Sequence, residues 1–132
     1  YGKYLYTSMN ANNFSPSEID ILIFLSNNPS INTSKELVVC LAVSKSLIAR
    51  SVDALIQKGM LKMEEDKNDH RLQHLKITKA AVPYINEIKK YRDSFTKLAL
   101  ADIDEQDLKC IEETVKKIED NMQKIIRGEK GL

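Results

Sequence analysis

The side chains best suited to chemistry cluster between residues 33 and 71, and they are cations and hydroxyls rather than nucleophiles or metal ligands. Lys45, Ser46 and Arg50 share one helical face, with Ser44 in place to cap that helix. Arg50 can fork onto a guanine edge or a phosphate, and the lysine and serine can reach phosphate or base oxygens. Thr33, Ser34 and Lys35 open the preceding helix, where free N–H groups and the positive dipole end suit a phosphate. Plain capping explains the same residues, and the two roles can coexist. His70 and His74 are four apart, a metal-pair spacing on a helix. On a strand they would stand ~13 Å apart, too far to share an ion. Cys40, between Val39 and Leu41, reads as a core thiol. Cys110 precedes the apolar Ile111, and oxidation sensing there stays open. With four glycines in all, there is no phosphate-cradling loop, no nucleophile elbow and no metal-ligand cluster. No catalytic residue, metal or cofactor is expected.

Charge distribution singles out the same stretch. The formal charge of the 132-residue chain is only +1. Residues 33–62, however, carry Lys35, Lys45, Arg50, Lys58 and Lys62 against Glu36 and Asp53, while the rest is balanced or slightly acidic. A positive excess confined to one segment marks a candidate nucleic-acid face. The apolar fraction of 42% and charged fraction of 30% suit a globular, helix-rich chain. No apolar run is long enough for a membrane span, and no export signal opens the sequence. Two unpaired, widely separated cysteines fit a reducing cytoplasm. Tyr1 in the place of Met implies residues upstream.

The elements that must position these residues are legible in the spacing. Ser15-Pro16-Ser17-Glu18 is a helix start with Glu18 at the capping-box position, and Asn27-Asn28-Pro29 is the stop. Thr33 and Glu36 form a second capping box, opening a helix through Leu37, Val38 and Leu41. Ala42-Val43 is a tight turn. In the helix after Ser44, Ile48, Val52, Leu55 and Ile56 face inward, so Lys45, Ser46, Ala49, Arg50 and Asp53 face out, and Gly59 ends it. Leu61 and Met63, then Leu75 and Ile77, alternate as two strands around the polar stretch 64–71. Thr78 is expected to cap a helix whose apolar residues Tyr84, Ile88, Tyr91 and Phe95 fall on a heptad. A last helix repeats the spacing with Leu108, Ile111, Val115, Ile118, Met122 and Ile125. The expected fold is mainly α with a small β-ribbon: a winged helix-turn-helix domain plus long C-terminal dimerisation helices. Its parts are the end of an N-terminal helix over 1–14, the winged helix-turn-helix over 15–78 and a helical dimerisation region over 79–132.

Several local patterns occur together and in order: Ser15-Pro16-Ser17-Glu18, Lys35-Glu36-Leu37, Val43-Ser44-Lys45-Ser46, Val52-Asp53-Ala54-Leu55, Lys58-Gly59-Met60-Leu61, Asp69-His70-Arg71 and Leu75-Lys76-Ile77-Thr78. From Phe14 to Thr78 the chain resembles the bacterial MarR family of winged helix-turn-helix transcription regulators. The resemblance implies a homodimer, usually a repressor, that binds double-stranded DNA at a pseudo-palindromic operator and answers to a small-molecule effector of unknown identity. It implies that Arg71 reaches a minor groove with Asp69 holding it, where the residues alone also allow a plain surface ion pair; Lys67 and Asn68 beside them are candidate backbone contacts. The two heptad seams, Tyr84, Ile88, Tyr91 and Phe95 and then Leu108 to Ile125, would form the dimer interface. The sequence departs from the family in two places. Family members have a longer first helix, and they carry basic residues where this chain has Met63-Glu64-Glu65-Asp66. That acidic run favours a rival reading, a winged-helix protein–protein adaptor with weak or lost DNA binding.

Overall fold

Among the described residues, each of the first three helices begins where a hydroxyl can take up a free backbone N–H. In a computed structural model that describes residues 14–128, Ser15 accepts from the Glu18 amide at 3.2 Å and starts α1 (Pro16–Asn27). Thr33 accepts from Glu36 at 3.2 Å and starts α2 (Ser34–Leu41). Ser44 accepts from Leu47 at 3.2 Å and starts α3 (Lys45–Gln57). Such caps each contribute on the order of 1 kcal/mol. The expected helix end at Tyr1 to Asn12 lies outside the described residues. Gly59, at φ +76°, closes α3 with paired bonds from Met60 N–H to Leu55 and from its own N–H to Ile56. The turn between α2 and α3 is tight because Ala42 adopts the left-handed conformation, φ 53°.

Two antiparallel strands follow, β1 (Leu61–Glu65) and β2 (Gln73–Ile77), with Leu61 opposite Ile77 and Met63 opposite Leu75. The register places all four on one face, but Leu61 and Leu75 are buried while Met63 at the outer end is exposed. The Leu75 N–H bonds the Asn32 carbonyl at 2.7 Å, so the segment before α2 lies along β2.

α4 (Val82–Ala99) starts later than the expected Thr78 cap. The Thr78 hydroxyl donates to the Gly59 carbonyl at 2.6 Å, and a 3-10 turn over Lys79–Ala81 intervenes. Pro83 is thereby the second helical residue, where no N–H partner is needed. Glu18 also departs from its expected capping-box role: its buried carboxylate meets Lys58 at 2.6 Å and ties the start of α1 to the end of α3. Nearby, the buried Ser51 hydroxyl donates to Ser17 at 2.8 Å.

The core gathers Ile19, Leu22 and Leu25 of α1, Leu37 of α2, Ile48, Val52 and Leu55 of α3, the two strand leucines, and Ala81, Ile85 and Ile88. Ile88 is 0% exposed, and Tyr84 and Tyr91 pack against this cluster, with Tyr84 edge-on to Phe14 at 5.4 Å between centroids. These three residues, expected at a dimer interface, instead complete the winged-helix core. An apolar stripe goes to whichever surface it meets first, and here that is the back of the domain. The compact unit accordingly runs through Thr96. Phe95 is half-buried. Cys40, expected in the core, is exposed: Leu37, Val38 and Leu41 form the inward stripe of α2, and Cys40 falls outside it.

The second unit, Lys97–Leu132, contains α5 (Glu105–Ile126), capped by Asp104. This 22-residue helix buries none of its residues. Its seam is exposed, from 37% at Ile125 to 59% at Ile111, with Leu108 half-buried. Among the described residues no helix is long and apolar enough to cross a membrane.

Candidate nucleic-acid interface

α3 is the second helix of the helix-turn-helix, and its inward stripe forces the opposite residues out. Lys45, Ser46, Ala49, Arg50 and Asp53 are all exposed, while Ile48, Val52 and Leu55 are buried. Ser44 is committed to its cap, with its hydroxyl 3.3 Å from that of Ser46. α2 lies across α3, and the two helix starts meet: Ser34, Lys35 and Lys45 line one groove with Val39 and Ala49, over Val38 and Ile48. This is a cationic rim around an apolar floor. Thr33 does not join it. It is 8% exposed, accepts the Glu36 amide, and donates its hydroxyl to the Glu36 carboxylate at 2.7 Å. Of the two roles open to Thr33, its side chain performs the capping one.

The wing tip is an Asx turn. Asp66 Oδ1 accepts the N–H groups of Asn68 and Asp69 at 2.8 and 3.0 Å. Asp69 in turn accepts the Arg71 N–H at 3.0 Å and lies 3.5 Å from the Arg71 Nε. The Arg71 side chain is 94% exposed, projecting from the tip with its base fixed by Asp69. Lys67 and Asn68 are exposed beside it.

Each carboxylate of the acidic run has a partner within the wing. Glu64 lies 3.3 Å from the Lys62 ammonium, Glu65 Oε1 2.7 Å from His70 Nδ1, and Asp66 Oδ2 2.7 Å from His74 Nε2. The hydrogen bond from His74, together with the two backbone N–H groups, holds the Asp66 carboxyl down to about 2. The histidines are thus partners for carboxylates, and among the described residues no cluster could hold a metal ion.

Two features escaped the sequence reading. Val39 is 75% exposed on α2, at the edge of the Lys35–Lys45 groove. A valine inside Leu37-Val38-Val39-Cys40-Leu41 carries no local sign that it faces out, beyond its falling opposite Leu37 on a helical wheel. The second is the Asn32–His74 contact, which spans 42 positions.

Residues 12–72 match the MarR family model. The fold is also that of solved MarR proteins. A MarR family transcriptional regulator from Listeria monocytogenes, complexed with 26mer DNA, superposes at a TM-score of 0.79 with 16% identity, covering 99% of this chain and 89% of that one. A MarR transcriptional regulator from Methanosarcina mazei Go1 gives 0.77 with 17% identity, over 92% and 87%. One of the MarR family from Silicibacter pomeroyi gives 0.76 with 20% identity, over 92% and 81%. The winged helix-turn-helix segment thus matches the MarR family, and the chain carrying it has the fold of solved MarR transcriptional regulators.

Proposed function

We propose that the chain is a sequence-specific DNA-binding regulator, acting as a repressor, that places two reading heads on a pseudo-palindromic site as a homodimer. The observation that carries the reading is the outward face of α3. Lys45, Ser46, Ala49 and Arg50 stand together at the start of the second helix, continuous with Ser34 and Lys35 of α2. Helix-turn-helix proteins lay this part of the second helix along base edges, while the preceding helix start meets the backbone. Lys35 and Lys45 then bind phosphates, Arg50 forks onto a guanine or a phosphate, and Val39 and Ala49 supply the apolar contact that a thymine methyl accepts. Arg71 enters the flanking minor groove from the wing, with Lys67 and Asn68 on the backbone beside it. The Listeria protein of the same fold was solved with DNA, which supports the reading.

The exposed seam of α5 supports the dimer. Ile111, Val115, Ile118 and Met122 present an apolar stripe along about 17 Å of helix, and a two-fold copy covers it while spacing the heads for a two-fold site. Against the adaptor reading, the carboxylates of the acidic run are engaged by Lys62, His70 and His74 of their own wing rather than offered to a partner protein.

The test is a titration on a duplex enriched from a random library and on an unselected duplex, at 50 and 200 mM salt. Affinity should fall roughly 10³-fold or more across that range if six or more phosphates are neutralised by the dimer. Arg50→Ala should cost about 1–3 kcal/mol on the enriched duplex if it reads a base. Salt-independent or absent binding of both duplexes would overturn the reading.

A further inference from the structure

The imidazole of His74 is held from both sides. Its Nδ1 lies 2.6 Å from Oδ1 of Asn32, and its Nε2 lies 2.7 Å from Oδ2 of Asp66. Neither partner can turn to offer a proton. The buried Asn32 amide is oriented by its Nδ2, which donates to the Pro29 carbonyl at 3.1 Å and leaves the oxygen on the ring. Asp66 spends its other oxygen on two backbone N–H groups. A neutral imidazole has one N–H and would aim a lone pair at one of these oxygens, whereas an imidazolium donates to both.

Asn32 immediately precedes the Thr33 cap of α2, and Asp66 begins the turn that carries Lys67, Asn68 and Arg71. The ring therefore joins the wing tip to the start of the helix-turn-helix, beside the backbone bond from Leu75 N–H to the Asn32 carbonyl. We infer that His74 is a positioning residue for DNA binding: as an imidazolium it fixes the wing to α2 and so sets where Arg71 stands relative to Lys35, Lys45 and Arg50. The inference rests on the DNA-binding reading above.

The charged groups around the ring are few. β1 contributes Glu64, its register partner, which is engaged by Lys62. β2 contributes Lys76, two residues along on the same face. The wing turn contributes Asp66, and the segment 29–33 contains no ionisable residue. Of the helices packed on the ribbon, α1 carries Glu18, held by Lys58, and Asp20; α3 carries Lys45, Arg50 and Asp53. His70, the other histidine of the chain, pairs with Glu65 inside the wing and serves as an internal control.

The test combines DNA titration with measurements on the free protein. At constant ionic strength, parent affinity for the enriched duplex should fall roughly three- to tenfold from pH 6 to pH 8, the effect of weakening one such hydrogen bond. His74→Gln should bind weakly and without that pH dependence, while His70→Gln should follow the parent. In the free parent at pH 6, 15N spectra should show both ring nitrogens of His74 protonated, and exchange protection of the Leu75 amide should drop toward pH 8. A His74→Gln protein that keeps the parent's pH profile would overturn the inference. So would a singly protonated ring at pH 6 in the parent, a readout that survives even if the variant fails to fold. If the parent retains no DNA while ring and Leu75 behave as expected, the wing tie stands and the DNA-binding reading is what fails.

Discussion

α4 and α5 carry the same apolar rhythm and meet opposite fates. In α4 the steps Tyr84, Ile88 and Tyr91 close onto the back of the winged helix, and Ile88 is wholly buried. In α5 the steps Ile111, Val115, Ile118 and Met122 are left about half exposed. A heptad shows that a helix has an apolar stripe; it does not say whether the covering surface is in the same chain. The difference arises from what lies next to each helix. α4 follows the wing directly, where α1 and the strand leucines offer an apolar surface, whereas α5 belongs to a second unit of only 36 residues, too small to bury such a stripe within itself.

Disrupting each stripe in turn should have opposite consequences. Ile118→Asp should leave the winged helix folded and turn a dimer into a monomer. Duplex affinity should then fall by roughly 10²-fold or more, because each head loses the avidity of the other. Sedimentation of the variant as an intact dimer would remove α5 from the interface. Ile88→Ala should do the reverse: a loss of about 2–5 kcal/mol in chemical unfolding, from a cavity in the core, with the self-association constant of the folded protein unchanged.

A smaller effect probes the polar side of the same core. Glu18→Gln keeps an acceptor opposite Lys58 but removes the charge, and it should cost about 1–2 kcal/mol in urea melts, discounted because Lys58 is one-third exposed. A cost near zero would show that Phe14, whose ring lies 5.1 Å from the ammonium, holds Lys58 without Glu18. The smallest effect is local and pH-driven. The folded Asp66 carboxyl sits at about 2, below its ordinary 3.8, so its ionised form is the one that holds the wing turn. That contribution is complete above roughly pH 5 and is lost as pH falls through 4 toward 2. The Asn68 and Asp69 amide resonances should report a transition there, absent in Asp66→Asn.

Much of the reading head was legible because its determinants are local. Ser15, Thr33, Ser44 and Gly59 mark helix ends within three or four residues, and the inward stripe of α3 dictates which of its residues face out. What could not be read depends on partners remote in sequence. The Asn32–His74 contact and the engagement of Glu18 by Lys58 cross 42 and 40 positions. Thr78 looked like a cap because nothing nearby reveals that Gly59 would claim its hydroxyl. The exposure of Cys40 and Val39 is hidden within an apolar run, because a helix of eight residues gives too few turns to fix its inward face by pattern alone.

Two copies joined through α5 are expected to present two α3 helices to one duplex. The most direct measurement is the mass of the complex, by sedimentation velocity of the protein with the enriched duplex at sub-saturating DNA in 100 mM salt. The expected result is two chains per duplex with no one-chain species, and one chain per duplex only for Ile118→Asp at much higher protein concentration. A parent complex of one chain per duplex, bound as tightly as the two-chain form is expected to be, would contradict it.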